Sequence, residues 1–456
     1  MKKLEMDMTT GTIFNKIVRF SIPLMLMNIL QLLFNAADIF VLGIFVNDNA
    51  VAAVGANSAL INLIINLFIG LSVGSNVVVA MFLGENNKQK IRENVGLSIF
   101  IALVSGIILL FIGFFCARTF LTWMGCDEVV LDMAVKYLKI YFLGMPVIML
   151  YNFCASILRA AGDTVRPLIY LSIGGVINVI LNIFFVLVLK KDVEGVAIAT
   201  VVSQGIAAVL CLITLSKNNG VVKLEFKYIR FKFSAFLLLV KIGVPSGIQS
   251  CLFSLSNVII QSSVNSLGAK AMSGYSYEMQ IANIVYVAMN AIALACMSFV
   301  GQNYGAKDIK RIKKIIIESI IFVSIVGIVF GVTATFLGPL FLSLITDDKE
   351  VILYCKQILY FVSLPYFLCG IMDVVAYAMR SLGKSFTTMI ICIFGACILR
   401  IIWIQLVFNS IRTAWSIFIS YPISWIIVII AISIFLSTTL KKLEKQYKEN
   451  TEKDIV

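Results

Sequence analysis

Histidine is absent from this sequence of 456 residues, and charged residues make up only 13% of it. A soluble domain carries about a quarter charged residues, so this composition excludes an ordinary water-exposed surface. The lack of histidine also removes the commonest protein ligand for metals and the usual general base. The ten cysteines include no CxxC pair and lie mostly in apolar runs, so neither a disulfide framework nor a thiolate metal site is indicated.

Apolar residues are abundant: 60% of the chain is hydrophobic, and the mean hydropathy is +1.00. They gather in runs such as Leu97–Cys116 and Ile320–Leu340, which are long enough to cross roughly 30 Å of hydrocarbon as helices. No ten-residue alternating pattern of the kind found in membrane barrels recurs. We therefore predict an all-α integral membrane protein with twelve transmembrane helices. The predicted spans are 16–45, 52–83, 95–117, 133–158, 166–189, 195–216, 235–265, 276–302, 316–345, 351–379, 387–409 and 414–440.

The positive charges indicate an orientation. An even number of spans puts both termini on one face, which then holds 26 of the 37 Lys and Arg residues, against nine on the other face and two within spans. Because positive loops stay inside, both termini are predicted to be cytoplasmic. The net charge of +13 therefore reflects the orientation of the chain in the membrane, and nucleic acid is not expected as a partner.

The two halves of the chain repeat each other at an offset of about 221 residues. Arg159-x-x-Gly162 matches Arg380-x-x-Gly383, and Gly84 matches Gly305. Six spans per half give both halves the same orientation, which predicts two parallel-repeat six-helix lobes. The predicted domains are an N-terminal lobe at 1–216, a cytoplasmic linker at 217–234, a C-terminal lobe at 235–440 and a cytoplasmic basic tail at 441–456.

Enzyme motifs give little support to catalysis. Gly70-Leu-Ser72-Val-Gly74 matches the GxSxG pattern of a nucleophile elbow, which requires a strand–turn–helix context and a base. Here the motif lies within a predicted membrane span, so we interpret it as a face of small residues for close helix packing. The chain has no HExxH, Walker A or dinucleotide-binding motif, and an enzyme is not expected.

Polar residues inside the N-terminal spans are the candidates for function, because ionisable groups are costly in a bilayer and usually face a cavity. Helix 1 carries a polar stripe of Asn28, Gln31, Asn35 and Asp38. Helix 5 carries Asn178 and Asn182 one turn apart, and helix 6 carries Thr200. A carboxylate with amide and hydroxyl oxygens could bind a proton or a dehydrated alkali cation such as Na⁺. The alternative is that Asp38 only caps or hydrogen-bonds a neighbouring helix.

The C-terminal half offers a second, looser set of candidates. Glu278 and Asp373 are its acids within spans, and Arg400 lies in the middle of span 11. A buried pair between Arg400 and either acid would relieve the cost of both charges. Glu278 could instead be solvated near a helix end, and a pair could be purely structural. Asn257, the repeat partner of Asn35, completes the set.

Several motifs together resemble one transporter family. They are FVGQNYGA at Phe299–Ala306 followed by a basic run, RAAGDT at Arg159–Thr164, GGVINVILN at Gly174–Asn182, the segment Phe20–Gly43 and the segment Gly70–Gly84. Over nearly the whole chain the sequence resembles the multidrug and toxic compound extrusion (MATE) family, and most of all its bacterial branch of DinF- and MepA-type exporters.

That resemblance implies an antiporter in the bacterial cell (inner) membrane that uses Na⁺ or H⁺ to export amphipathic, often cationic compounds. It implies two lobes that alternate access, no cofactor, and a cation site at Asp38, Asn178, Asn182 and Thr200. A monomer is expected. Many relatives have a second acid where this chain has Asn182. The alternative function is a flippase for a lipid-linked precursor, although such proteins often have fourteen spans and a basic cavity.

Overall fold

The computed structural model describes residues 5–217, 220–343 and 346–453, and these ranges contain helices but no β-strand. Eleven helices within them are long and apolar enough to cross a membrane, and a bent pair supplies a twelfth. The all-α fold with twelve spans is confirmed. The helices are α1 Ile13–Phe45, α2 Asp48–Gly84, α3 Lys88–Trp123, α4 Glu128–Leu143 with Met145–Ala160, α5 Val165–Val188, α6 Val193–Lys217, α7 Phe233–Asn265, α8 Ala269–Gly305, α9 Ile309–Leu342, α10 Lys349–Ser381, α11 Ser385–Phe408 and α12 Ala414–Glu449.

The fourth helix differs from its prediction as one continuous span. It bends by 50° between its two parts, at Gly144. Pro146 follows in the first turn of the second part, where its missing N–H costs no helical hydrogen bond. Periodicity alone could not reveal this bend, because the apolar pattern continues on both sides of it.

Several helices also run further than predicted, since polar residues at their ends stay helical. The long segment of α12 begins at Ser420 and stays helical as far as Lys453, so much of the predicted basic tail is helical. At the start of α3 the side chain of Asn87 accepts a hydrogen bond from the N–H of Lys90 at 3.1 Å. Such capping extends a helix into the polar region beyond its apolar core.

The repeat is visible in the backbone. Asn86 and Lys307, 221 residues apart, both adopt positive φ angles, of 54° and 60°. The residue after each one caps the next helix: Asn87 begins α3, and Asp308 begins α9 by accepting from the N–H of Arg311 at 2.9 Å. The same tight turn and cap at equivalent positions confirm that the halves repeat in structure.

The chain divides into two compact units, and both divisions lie within helices. One falls in α1 just after Pro23, and the other in α7 just after Pro245, which are equivalent positions of the repeat. Each of these helices thus contributes to both units. The N-terminal unit consists of Met1–Asp7 and Leu26–Gly247, and the C-terminal unit of Met8–Met25 and Ile248–Val456.

Within the N-terminal unit, α2 and α7 cross at glycines. A Cβ atom added to Gly70 would lie 2.3 Å from the backbone nitrogen of Gly247, and one added to Gly74 would lie 2.6 Å from the carbonyl oxygen of Leu239. Only glycine permits backbones to approach this closely. The interpretation of the Gly70–Gly74 segment as a packing face is confirmed.

Candidate cation site and the buried charges

Three of the polar residues predicted in the first half, Asn178, Asn182 and Thr200, meet around Asp38, which is 6% exposed. Asn182 Nδ2 donates to Asp38 Oδ1 at 2.5 Å, and Thr200 Oγ1 donates to Asp38 Oδ2 at 3.3 Å. Asn182 Nδ2 also donates to Asn178 Oδ1 at 3.2 Å, and Asn178 Nδ2 donates to Thr200 Oγ1 at 3.3 Å. We call Asp38, Asn178, Asn182 and Thr200 the Asp38 cluster.

Two adjacent glycines in α5 explain how three helices bring the cluster together. A Cβ atom on Gly175 would overlap the ring of Phe34 in α1, and one on Gly174 would lie 2.8 Å from the carbonyl oxygen of Ser203 in α6. Glycine at both positions therefore lets α1 and α6 pack closely on α5. Asp38 lies about one helical turn after Phe34, and Asn178 lies about one turn after Gly174. These positions bring the side chains of Asp38 and Asn178 within reach of each other.

The hydrogen bonding of the cluster leaves acceptor capacity unused. Asn182 Oδ1 is buried and has no hydrogen-bond partner in the structure. Thr200 Oγ1 also lies 3.0 Å from the carbonyl oxygen of Val196, so its one proton is shared between that oxygen and Asp38. Buried oxygens without donors are costly, and a cation or a proton is the kind of ligand that satisfies them.

The space beside the cluster has the size for an ion. A cavity of about 30 Å³ is bounded by Asp38, Asn178, Thr200 and residues of the helix-1 stripe, Gln31 and Asn35. That volume holds one water molecule or an ion, whereas drug-sized ligands occupy roughly 300–1,000 Å³. The residues that line this cavity supply hard oxygen atoms from one carboxylate, several amides and a hydroxyl. Such oxygens suit an alkali cation.

Two polar residues that line this cavity were not predicted from the sequence. Ser203 and Gln204 line the same cavity, three and four residues after Thr200. With Thr200 they form a polar face on α6, which the same helical periodicity used for α1 would have found. Every one of these residues belongs to the N-terminal unit.

In the C-terminal unit the predicted acids are buried. Glu278 is 3% exposed and accepts a hydrogen bond from Ser363 Oγ at 3.4 Å, so the solvated alternative for Glu278 is wrong. Asp373 is 9% exposed. Asn257 is exposed on α7. Arg380 stacks at 4.5 Å over the ring of Tyr377.

The expected pairing of Arg400 with an acid is also wrong. Among the described residues, the contacts of Arg400 include neither Asp373 nor Glu278. Instead Arg400 Nε donates to Ser424 Oγ at 2.8 Å, and its guanidinium lies 4.0 Å from the ring centre of Tyr421 and 5.7 Å from that of Trp425. Aromatic faces attract a buried cation electrostatically, so Arg400 needs no carboxylate.

The family model MatE matches residues 23–184 and 245–405, once in each half of the chain. The chain belongs to the MatE family. The resemblance to MATE transporters seen in the motifs is thereby confirmed, and the repeat coincides with the two matched segments.

Relatives of this MatE protein cover most of its length. It is 28% identical over 383 residues to the probable multidrug resistance protein YoeA of Bacillus subtilis strain 168, covering 82% of this chain and 83% of YoeA. It is 26% identical over 412 residues to YpnP of the same organism, covering 90% of both. It is 20% identical to the multidrug export protein MepA of Staphylococcus aureus strain MSSA476, covering 90% and 91%.

Solved structures share the fold. An outward-facing multidrug resistance MATE family transporter of the MOP superfamily superposes with a TM-score of 0.89 at 20% identity, covering 96% of this chain and 98% of that one. A MATE structure in complex with MaD3S gives the same TM-score and identity, covering 98% and 99%. This MatE protein is therefore a membrane transporter with many spans rather than an enzyme.

Proposed function

We propose that this transporter is an antiporter that couples Na⁺ or H⁺ entry to the export of amphipathic, often cationic compounds. The observation that carries the proposal is the Asp38 cluster: a buried carboxylate beside an ion-sized cavity, with a buried amide oxygen that lacks a donor. The names of YoeA, YpnP and MepA, all multidrug resistance or export proteins, support drugs as the exported class.

Coupling requires that the ion and the drug favour different conformations, since a ligand with equal affinity for both states shifts nothing. The ion site and the drug site are separate in this proposal, because the cavity at Asp38 is too small for a drug. The ion favours the state in which α1, α5 and α6 close around Asp38. The drug favours the state with a wider cavity. Neither step requires a cofactor, and a monomer suffices for the cycle.

Counter-transport in proteoliposomes tests this function. The full-length protein is reconstituted with a fluorescent organic cation such as ethidium, and an Na⁺ or a proton gradient is imposed separately. We expect one of the two gradients to drive ethidium against its concentration gradient, and its dissipation by an ionophore to stop transport. Translocation of a fluorescent lipid-linked precursor, with no ethidium movement under either gradient, would contradict the proposal and favour a flippase.

We further propose that the protein lies in the bacterial plasma membrane with both termini in the cytoplasm. In a cysteine-free variant, Lys227→Cys in the linker between α6 and α7 should resist a membrane-impermeant maleimide in intact cells. Lys227 is 65% exposed, so its environment does not block the reagent. A variant that retains only Cys126, in the turn between α3 and α4, should be labelled, because that turn lies on the other face.

The reaction at Cys126 needs a suitable pH. Partial burial and the neighbouring Asp127 raise the pKa of the Cys126 thiol above its ordinary value of 9.0, so mildly alkaline buffer is needed to form thiolate. Labelling of position 227 before cell lysis, with Cys126 protected, would reverse the proposed orientation.

A further inference from the structure

The lysine-rich end of the C-terminal unit contains a second and much larger cavity, far bigger than the one at Asp38. It measures about 630 Å³ and lies between the start of α11 and the extended end of α12. Its charged lining residues are three lysines, Lys384, Lys442 and Lys445, and one acid, Glu449. The apolar side chains of Phe435 and Met379 lie beside them. We call this cavity the basic groove. Its volume is within the range that holds a small-molecule ligand or a phospholipid headgroup.

Acidic side chains compensate only part of the charge of the basic groove. Within its lining, Lys445 pairs with Glu449 at 3.8 Å. Outside the lining, Lys313 pairs with Glu444 at 2.8 Å. Among the described side chains no acid lies within 4.0 Å of Lys384 or Lys442. Two lysines without an acidic partner, in a groove that also has threonine hydroxyls, favour an anionic ligand.

The repeat shows that this charge is particular to the C-terminal unit. By the offset of 221, the position of Lys384 corresponds to Asp163 in the first half. Asp163 is an acid, is fully buried and pairs with Arg166 at 3.2 Å. In addition α6 ends at Lys217, whereas the last helix of the second half continues to Lys453. Repeat architecture alone therefore does not account for the groove.

Exposed apolar side chains lie on the two helices that border the groove, and one of them, Phe435, also lines it. Along α12, Ile430 is 56% exposed, Ile434 59% and Phe435 48%, and along α11 Phe386 is 59% exposed and Phe394 62%. In a protein with membrane-spanning helices, such exposed apolar faces contact acyl chains. A ligand with a phosphate on the lysines and hydrocarbon along these two helices matches both parts, whereas free phosphate matches only the first.

We propose that the basic groove is a binding site for an anionic phospholipid, with its phosphate held by Lys384, Lys442 and Lys445 and its acyl chains along α11 and α12. Basic pockets between transmembrane helices bind acidic headgroups in this manner. The site belongs wholly to the C-terminal unit and does not depend on the proposed coupling at Asp38.

Native mass spectrometry of the full-length protein in detergent, titrated with phosphatidylglycerol or phosphatidylcholine, tests the site. We expect phosphatidylglycerol to bind the wild type more tightly. The triple variant Lys384→Gln, Lys442→Gln and Lys445→Gln should bind phosphatidylglycerol about a hundredfold more weakly, because the loss of each lysine should lower the affinity by about fivefold. Millimolar inorganic phosphate should not displace the lipid.

The matched control removes three lysines from another cavity at the same end of this unit, with Lys307→Gln, Lys310→Gln and Lys448→Gln. This triple variant has the same net charge as the first, and its affinity should stay close to that of the wild type. Equal losses of phosphatidylglycerol affinity in the two triple variants would mean that general surface charge causes the effect, and would contradict the proposed site. Displacement by phosphate, or equal binding of phosphatidylcholine, would also overturn it. Should the first triple variant fail to fold, Lys442→Gln alone should still lose about fivefold.

Discussion

Replacing Asp38 with asparagine should abolish gradient-driven export while leaving the protein folded. Asparagine keeps the shape of the side chain, and its Oδ1 can still accept the hydrogen bond that Asn182 Nδ2 donates at 2.5 Å. What it loses is the negative charge, and without that charge neither a proton nor Na⁺ can neutralise the site. Ethidium accumulation in proteoliposomes should fall to that of protein-free vesicles, with an unchanged thermal unfolding temperature.

Two further variants separate charge from packing. Asn182→Ala retains the carboxylate and removes one hydrogen bond to a charged group, worth about 1.5–3 kcal/mol, so transport should weaken by roughly tenfold or more rather than vanish. Asp132→Asn makes the same chemical change at an exposed acid paired with Arg118 at 2.9 Å, and should transport like the wild type. Near-normal export by Asp38→Asn under both gradients would move coupling to Asp373 or Glu278.

The composition of the Asp38 cluster could be predicted from the sequence because two physical constraints coincide there. Helical periodicity puts Asn178 and Asn182 on one face, and the cost of polar groups in a bilayer requires that face to meet other polar groups. The structure brings both residues to Asp38 and Thr200. Their role in cation coupling stays a prediction until transport is measured.

The surroundings of Arg400 could not be predicted in the same way. A buried guanidinium can be stabilised by a carboxylate, by hydroxyls or by aromatic faces, and the spacing of residues along the chain does not distinguish these options. Tyr421, Trp425 and Ser424 lie on α12, whereas Arg400 lies on α11. Only the packing of one helix on the other reveals which partners Arg400 has.

The division of the two units was hidden for a related reason. Sequence repeats mark the halves of the chain, but contacts decide which residues pack together. The contacts divide α1 and α7 after Pro23 and Pro245, so residues 8–25 pack with the C-terminal unit. Proline inside a helix removes a backbone hydrogen bond and allows a kink, which explains why a division can lie there.

The second large effect is expected at the crossing of α2 and α7. A Cβ atom at Gly70 would lie 2.3 Å from the backbone nitrogen of Gly247, 2.5 Å from its Cα and 2.7 Å from the carbonyl oxygen of Gly243. These are backbone atoms in the middle of a helix, so no side-chain rotation can relieve the overlap. Gly70→Ala should therefore force the helices apart, with a cost of about 1–3 kcal/mol or more from overpacking.

Gly55→Ala is the matched control, because Gly55 lies in the same helix and a Cβ atom there meets nothing within 4 Å. Both substitutions gain about 1 kcal/mol of helix propensity. Only Gly70→Ala also creates the backbone overlap, and we expect its cost to exceed that gain. The two variants should therefore change stability in opposite directions. We expect the thermal unfolding temperature of the detergent-solubilised protein to fall for Gly70→Ala and to stay level or rise for Gly55→Ala. Equal unfolding temperatures would mean that α2 and α7 can separate at little cost. In that case the close glycine contact would not be needed for a stable N-terminal unit.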